Sequence, residues 1–173
     1  QKKKLIEQSW NKHHAVRRVM QFLQENGVGV YHAATILQTY GSKAMDILQQ
    51  DPYAIARDIP EIGFTIADMI AMKAGFEKDD ENRLQACLIY GLLSFEQEGH
   101  VYGLKKELFK MSSRTSGVEQ ELFDQALERL IDSDDVKTEN QEDDTKVYLK
   151  RLYQAEAGIA SRMKAILSMA ANP

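Results

Sequence analysis

The chain has 173 residues, of which 43% are hydrophobic and 28% charged, and its formal net charge is −4. A chain of this length and balance can bury a core without a metal or a disulfide, which excludes an intrinsically disordered chain and a small disulfide scaffold. The acidic balance also excludes a basic body that coats nucleic acid, so any DNA contact has to be local.

The N-terminal part predicts two helices and holds a cluster of basic side chains. Residues 3–10 and 14–25 are the predicted helices, and the glycine-containing sequence ENGVG ends the second one. Lys12, Arg17 and Arg18 precede that break and are candidate phosphate contacts. A solvated helix face accounts for such a charge run equally well.

A pattern of glycine and small apolar residues then occurs twice, 34 residues apart. The first copy begins at Gly27-Val28-Gly29 and runs into a predicted helix over 30–39, and the second begins at Glu61-Ile62-Gly63 and runs into one over 65–74. The matching pairs are Gly29 with Gly63, Ala33 with Ala67, Ile36 with Ile70 and Gly41 with Gly75.

This repeat has the features of a turn that binds phosphate. Glycine permits a positive φ and a close approach of the ligand to the backbone, and the following helix offers unpaired N–H groups and its dipole to an anion. A corner that merely packs two helices is the alternative for each copy. The predicted DNA-binding residues of the two turns are Gly27, Val28, Gly29, Val30, Tyr31, Ile62, Gly63, Phe64 and Thr65.

The second half of the chain has a different pattern. It predicts helices over 80–98, 104–111 and 118–131, two short strands around an acidic tip within 135–149, and a last helix over 153–171. Three helices and a β-hairpin are typical of a winged-helix-like unit. The helix over 118–131 occupies the place of the helix that enters a DNA groove in winged-helix proteins, but it is acidic. This half of the chain is therefore expected to contact protein. A solvated acidic face is the alternative.

The two glycine turns resemble tandem helix-hairpin-helix motifs, so we expect a mainly α fold: a tandem helix-hairpin-helix bundle, a small winged-helix-like unit with one β-hairpin, and a C-terminal helix. The predicted boundaries are 1–78, 79–150 and 151–173. The single cysteine and the absence of a long apolar run favour a cytoplasmic protein without a membrane partner. No catalytic residue and no metal ligand set is predicted.

Long phrases of the chain resemble a known family. YGSKAMDILQQDPYAIARDIPEIGFTIADMIA, FEQEGHVY and VYLKRLYQAEAGIASRM are similar to the N-terminal helix-hairpin-helix region of RecD-like, exodeoxyribonuclease V alpha-type DNA helicases of the self-standing kind, over roughly residues 5–165. The resemblance implies a non-catalytic DNA-binding and coupling region that precedes an ATP-dependent motor of 5′-to-3′ polarity. It also implies a role in DNA repair and recombination, contact with single-stranded or junction DNA without sequence preference, and contact with the motor domains.

The motor itself is not expected in this chain. The sequence has no Gly-x-x-x-x-Gly-Lys-Ser/Thr loop, so ATP and Mg are expected in the motor of the parent protein and no cofactor is expected here. The first helix, over 2–10, is expected to be the second half of an earlier hairpin.

Two departures from the family pattern weaken the second turn. Glu61 stands where the hairpin normally has glycine, and Thr65 stands where a basic residue often follows. A carboxylate near a phosphate is repulsive, which favours the rival hypothesis of a protein-interaction or scaffold module whose hairpins are only packing corners.

A glycosylase with a catalytic aspartate at Asp79 or Asp80 is a further alternative, although helix capping explains these two residues.

Overall fold

The computed structural model describes the backbone of residues 2–59 and 61–170 and the side chains of 14–59 and 61–168. The chain forms two compact units, Gln1–Ala86 and Cys87–Pro173. Each unit is built around its own set of helices, and the boundary falls inside one helix, Glu81–Gln97.

The N-terminal unit consists of helices joined by short turns. A 3₁₀ turn, Gly41–Lys43, separates the second and third helices. The helices are α1 (Lys2–Glu25), α2 (Val30–Tyr40), α3 (Ala44–Gln50), α4 (Ala54–Asp58), α5 (Gly63–Lys73) and the first turns of α6 (Glu81–Gln97). The pairs α1–α2 and α4–α5 are the two helical hairpins that the glycine repeat predicts.

One prediction for this unit is wrong. Residues 2–25 form a single continuous helix, where two helices over 3–10 and 14–25 are expected from the sequence. The intervening residues, Asn11 to His13, include neither glycine nor proline, so nothing interrupts the backbone hydrogen-bond ladder.

The hairpins share one apolar core. Alanines at the repeated position, Ala33 and Ala67, are fully buried and let neighbouring helices approach closely. Val28 and Ile62, the apolar residues between the two glycine positions of each turn, are 4% and 3% exposed. The repeat therefore serves packing inside the unit as well as the geometry of its turns.

A buried ion pair fixes the start of α6 to α5. The Arg83 guanidinium donates to both carboxylate oxygens of Asp68, at 2.7 and 3.1 Å, and its third hydrogen bond goes to the Lys78 carbonyl at 2.8 Å. The Tyr53 hydroxyl donates to the same carboxylate at 2.8 Å. Burial and this hydrogen bond raise the pKa of Tyr53 well above its ordinary value.

The C-terminal unit is a winged-helix-like arrangement. After α6 come β1 (Gly103–Leu104), α7 (Lys105–Ser116), α8 (Gln120–Asp132), β2 (Val136–Gln141), β3 (Asp144–Leu149) and α9 (Lys150–Ala170). The antiparallel sheet has the order β1-β3-β2, with Val136 opposite Leu149 and Gly103 opposite Val147. The predicted mainly α fold with one β-hairpin is confirmed; the two-residue strand β1 is too short to leave a period in the sequence.

The last helix presents apolar side chains to solvent. Ile159, Met163, Ile166 and Leu167 are 58–66% exposed along α9. At its start, α9 is held by the Arg151 guanidinium, which binds the Glu96 carboxylate through both of its terminal nitrogens. None of the helices in the described residues combines the length and hydrophobicity needed to cross a bilayer.

Candidate nucleic-acid interface

The first turn begins as the C-terminal cap of α1. Gly27 has φ +80, its N–H donates to the Gln24 carbonyl at 2.9 Å, and the Val28 N–H donates to the Leu23 carbonyl at 2.9 Å. This pair of bonds is a Schellman motif, which requires a left-handed residue such as glycine and is completed here by burial of Val28 and Leu23 in one core. The N–H groups of Gly27 and Val28 are therefore already used within the protein.

The donors that remain for a ligand belong to the start of α2. Gly29 caps the helix with extended backbone, φ −61 and ψ 152, and its carbonyl accepts the first helical bond from Ala33 at 3.0 Å. The N–H groups at the start of a helix have no carbonyl in a preceding turn, and they add to the positive end of the helix dipole. Apart from Gly29 and its two chain neighbours, no atom of the described residues lies within 4 Å of a side-chain position on Gly29, so a ligand can approach the backbone here.

Two exposed side chains flank these donors. Val30 and Tyr31 are 63% and 68% exposed, and the Tyr31 ring contacts His32 edge-on at a centroid distance of 5.4 Å. A phenol at this point can donate to a phosphate or stack on a base. Of the residues predicted for the first turn, Val28 alone is buried, and Gly27, Gly29, Val30 and Tyr31 are exposed.

The second hairpin contributes a cation to the first turn. The Lys73 ammonium, at the C-terminal end of α5, donates to the Asn26 carbonyl at 2.9 Å and lies 3.4 Å from the side-chain position of Gly27. Lys73 is exposed, and an ammonium has three donors, of which this bond uses one. Sequence reasoning missed Lys73 because it lies far along the chain from the turn that it reaches.

The second turn has a different backbone conformation from the first. Gly63 has φ +62, whereas Gly29 at the same position of the repeat has φ −61. The Ile62 N–H donates to the Ile59 carbonyl at 3.0 Å, and Glu61 is exposed. The two copies of the repeat therefore present their helix starts differently.

The aromatic residue that follows the second turn lies in the core. Phe64 is 1% exposed, and its ring stacks on Tyr53 at a centroid distance of 6.0 Å and an interplanar angle of 17°. Thr65 is exposed at the start of α5. Among the residues predicted for the second turn, Thr65 and the backbone around Gly63 are the ones accessible to a ligand.

The remaining predicted basic contacts lie on α1. Arg17 and Arg18 are exposed. Because a helix rises about 1.5 Å per residue, the Arg18 backbone lies roughly 10 Å before the end of α1. The prediction for Lys12 falls outside the described side chains.

Other candidate chemistry is accounted for by packing. The Arg83 N–H donates to the Asp80 carboxylate at 3.1 Å, so Asp80 is the N-terminal cap of α6. Cys87 is buried, with its sulfur 3.8 Å from the Ser112 carbonyl oxygen. Within the described residues, no group of three or more His, Cys, Asp or Glu side chains is arranged to hold a metal ion.

Two helical hairpins with Gly-apolar-Gly-type turns, packed on one core, define a tandem helix-hairpin-helix domain. Residues 12–102, more than half of the chain, match the family model of the ATP-dependent RecD2 DNA helicase HHH domain, and the chain belongs to this family. The resemblance identified from the sequence is therefore confirmed.

A relative supports the same assignment. The ATP-dependent RecD2 DNA helicase of Deinococcus radiodurans is 27% identical over 170 residues, which cover 92% of this chain and 24% of that protein. The chain thus spans about a quarter of the length of the curated relative that it matches.

Proposed function

We propose that this chain is the non-catalytic DNA-binding and coupling region of an ATP-dependent 5′-to-3′ DNA helicase, and that it contacts backbone phosphates without reading sequence. The ATP, the Mg and the catalytic residues belong to the motor of the parent protein, which acts in the cytoplasm in DNA repair and recombination. The observation that carries this proposal is the first turn, where α2 begins with exposed residues and the Lys73 ammonium is bound to the Asn26 carbonyl beside Gly27.

The mechanism of binding follows from the donors at this turn. A phosphate of single-stranded or junction DNA accepts hydrogen bonds from the first N–H groups of α2 and gains from the helix dipole. The Lys73 ammonium keeps its bond to the Asn26 carbonyl and offers its other donors to the same phosphate. Because every nucleotide carries the same phosphate, these contacts position the strand and carry no sequence information.

Lys73→Gln tests this site. A glutamine amide can still donate to the Asn26 carbonyl, so the fold should be retained while one cation at the turn is lost. We expect several-fold weaker binding to single-stranded DNA, and a slope of log affinity against log salt that is shallower by roughly 0.7. Fluorescence anisotropy with oligonucleotides of two unrelated sequences measures both quantities.

Lys78→Gln is the matched control, because it removes the same charge from an exposed residue beyond α5. The control should change affinity and salt slope less than Lys73→Gln does. Equal effects of the two variants would mean that only net charge matters and that the turn is not the contact. Undetectable DNA binding by the parent chain at low salt would instead reject the DNA-binding proposal in favour of a protein-interaction module.

Glu61→Gly tests whether the second turn also lies along the DNA path. The change removes an exposed carboxylate and frees the backbone beside Gly63, so affinity for DNA should rise several-fold, on the order of 1 kcal/mol, and the gain should shrink as salt increases. Glu61→Gln removes only the charge and separates the electrostatic effect from the backbone effect. If both folded variants bind DNA no better than the unmodified chain, the second hairpin is only a packing corner.

The protein-interaction module is kept as a second candidate because of the acidic C-terminal unit. Exposed carboxylates on α8, including Glu121, Glu128 and Asp132, face solvent where a winged-helix protein would present a groove-reading helix. Such a face repels DNA phosphates. We therefore propose that the DNA contact belongs to the N-terminal unit and that the C-terminal unit contacts protein, including the motor domains.

A further inference from the structure

The C-terminal unit has an open groove at the junction of α6 and β1. Its volume is about 530 Å³, within the range of sites that hold a small molecule or a large side chain. The groove is lined by Phe95, Glu98, Gly99, His100, Val101, Tyr102, Leu104 and Glu107.

The floor of this groove is aromatic and held in place by the backbone. A side chain on Gly103 would lie only 2.5 Å from the Phe95 ring, so the ring rests directly on the strand at a position where only glycine fits. The Phe95 ring also meets the His100 ring edge-on at a centroid distance of 6.5 Å. Val101, at the rim, is 39% exposed.

The lysine-free and arginine-free lining of the groove carries negative charge. Glu98 and Glu107 are exposed carboxylates, and no lysine or arginine is among the lining residues. Within the described part of the chain, neither carboxylate has a cation at ion-pair distance. The groove therefore combines apolar surface with two carboxylates, Glu98 and Glu107, that form no ion pair with the described residues.

The adjoining groove contains a cation as well as carboxylates. That groove, of about 350 Å³, is bordered by the acidic tip between β2 and β3, and the Lys106 ammonium donates to the Asp143 carbonyl there at 2.6 Å. The Lys146 ammonium lies 4.7 Å from the centre of the Tyr102 ring, which lines both grooves. A cation on an aromatic surface beside carboxylates thus already occurs within this unit.

We propose that the groove at Phe95 is a docking site for an arginine side chain from a basic segment of a partner protein. A guanidinium is planar and weakly hydrated, so it can stack on an aromatic ring and donate to a carboxylate at the same time. Arginine anchors of this kind are frequent at the centres of protein interfaces. This inference is independent of the DNA contact, because it concerns only residues of the C-terminal unit.

A titration followed by backbone amide NMR signals tests the docking site. The probe is a capped peptide with one arginine between glycines, and the comparison peptide has citrulline, a neutral analogue, in place of arginine. We expect saturable shifts of the Gly99, His100 and Tyr102 amides with the arginine peptide, weakened by salt, and no saturable shift with citrulline. Equal shifts with both peptides, or none with the arginine peptide, would overturn the proposal.

Glu98→Gln combined with Glu107→Gln should reduce the affinity for the arginine peptide several-fold. Glu121→Gln combined with Glu128→Gln is the matched control, because it removes two exposed carboxylates from α8 outside the groove. An equal loss in both double variants would mean that net charge alone attracts the peptide. Shifts of the groove amides that depend on protein concentration without peptide would assign the groove to a second copy of the chain and overturn the partner assignment.

Discussion

Replacing Arg83 with methionine is expected to lower the free energy of unfolding of the N-terminal unit by about 3–5 kcal/mol. Arg83 is 5% exposed, and its guanidinium satisfies both oxygens of the Asp68 carboxylate. Methionine fills most of the space but leaves that carboxylate with only the Tyr53 hydroxyl as its donor among the contacts described above. A carboxylate that is only 16% exposed then loses its cationic partner, which costs stability.

Chemical denaturation followed by far-UV circular dichroism measures this effect. The double variant Asp68→Leu with Arg83→Met removes both charges, and it should recover much of the loss because apolar side chains can replace a buried ion pair. Arg18→Met, an exposed arginine on α1, is the control and should change stability little. A loss of less than about 1 kcal/mol for Arg83→Met would show that the pair is solvated and not structural.

Replacing Phe64 with alanine is expected to cost about 3–5 kcal/mol, because the ring is 1% exposed and stacked on Tyr53. We expect the second hairpin, α4–α5, to be the part of the fold that this variant destabilises first. Phe64→Leu keeps most of the volume and should cost less, about 1–2 kcal/mol. Thermal or urea unfolding measures the stability of the three proteins, which should decrease from the unmodified chain to the leucine variant to the alanine variant.

The leucine variant also separates packing from DNA contact at this position. If Phe64 acts only in the core, folded Phe64→Leu should bind single-stranded DNA as the parent does. Weaker DNA binding by a variant that is still folded at the assay temperature would mean that the ring reaches the nucleic acid and that the second turn opens on binding.

Local patterns in the sequence predict the hairpins because their causes are local. The turn itself requires a positive φ at Gly27 and burial of Val28, so the three consecutive residues Gly27-Val28-Gly29 are enough to predict it. The β2–β3 hairpin is likewise predicted from two short runs around an acidic tip. A structural feature that is determined by residues adjacent in the sequence can therefore be predicted from the sequence.

The features that sequence reasoning missed depend on residues brought together by the fold. Lys73 reaches the Asn26 carbonyl 47 positions earlier, and Arg83 reaches Asp68 15 positions earlier, only because the fold brings these residues together. The burial of Phe64 is of the same kind, since the sequence shows an aromatic residue after a turn but not which way it points. A charged residue in a helical pattern is usually interpreted as solvent-facing, and Arg83 is an exception because the partly buried Asp68 carboxylate and the Lys78 carbonyl accept its hydrogen bonds.

The Schellman cap at Gly27 has a consequence for the thermodynamics of the proposed DNA contact. Because the cap already fixes the backbone leading into α2, the strand meets a receptor whose shape exists before it arrives. Little chain entropy is then lost on association, and a few phosphate contacts suffice for a useful but short-lived complex. The heat-capacity change of binding should be small, since little apolar surface is buried.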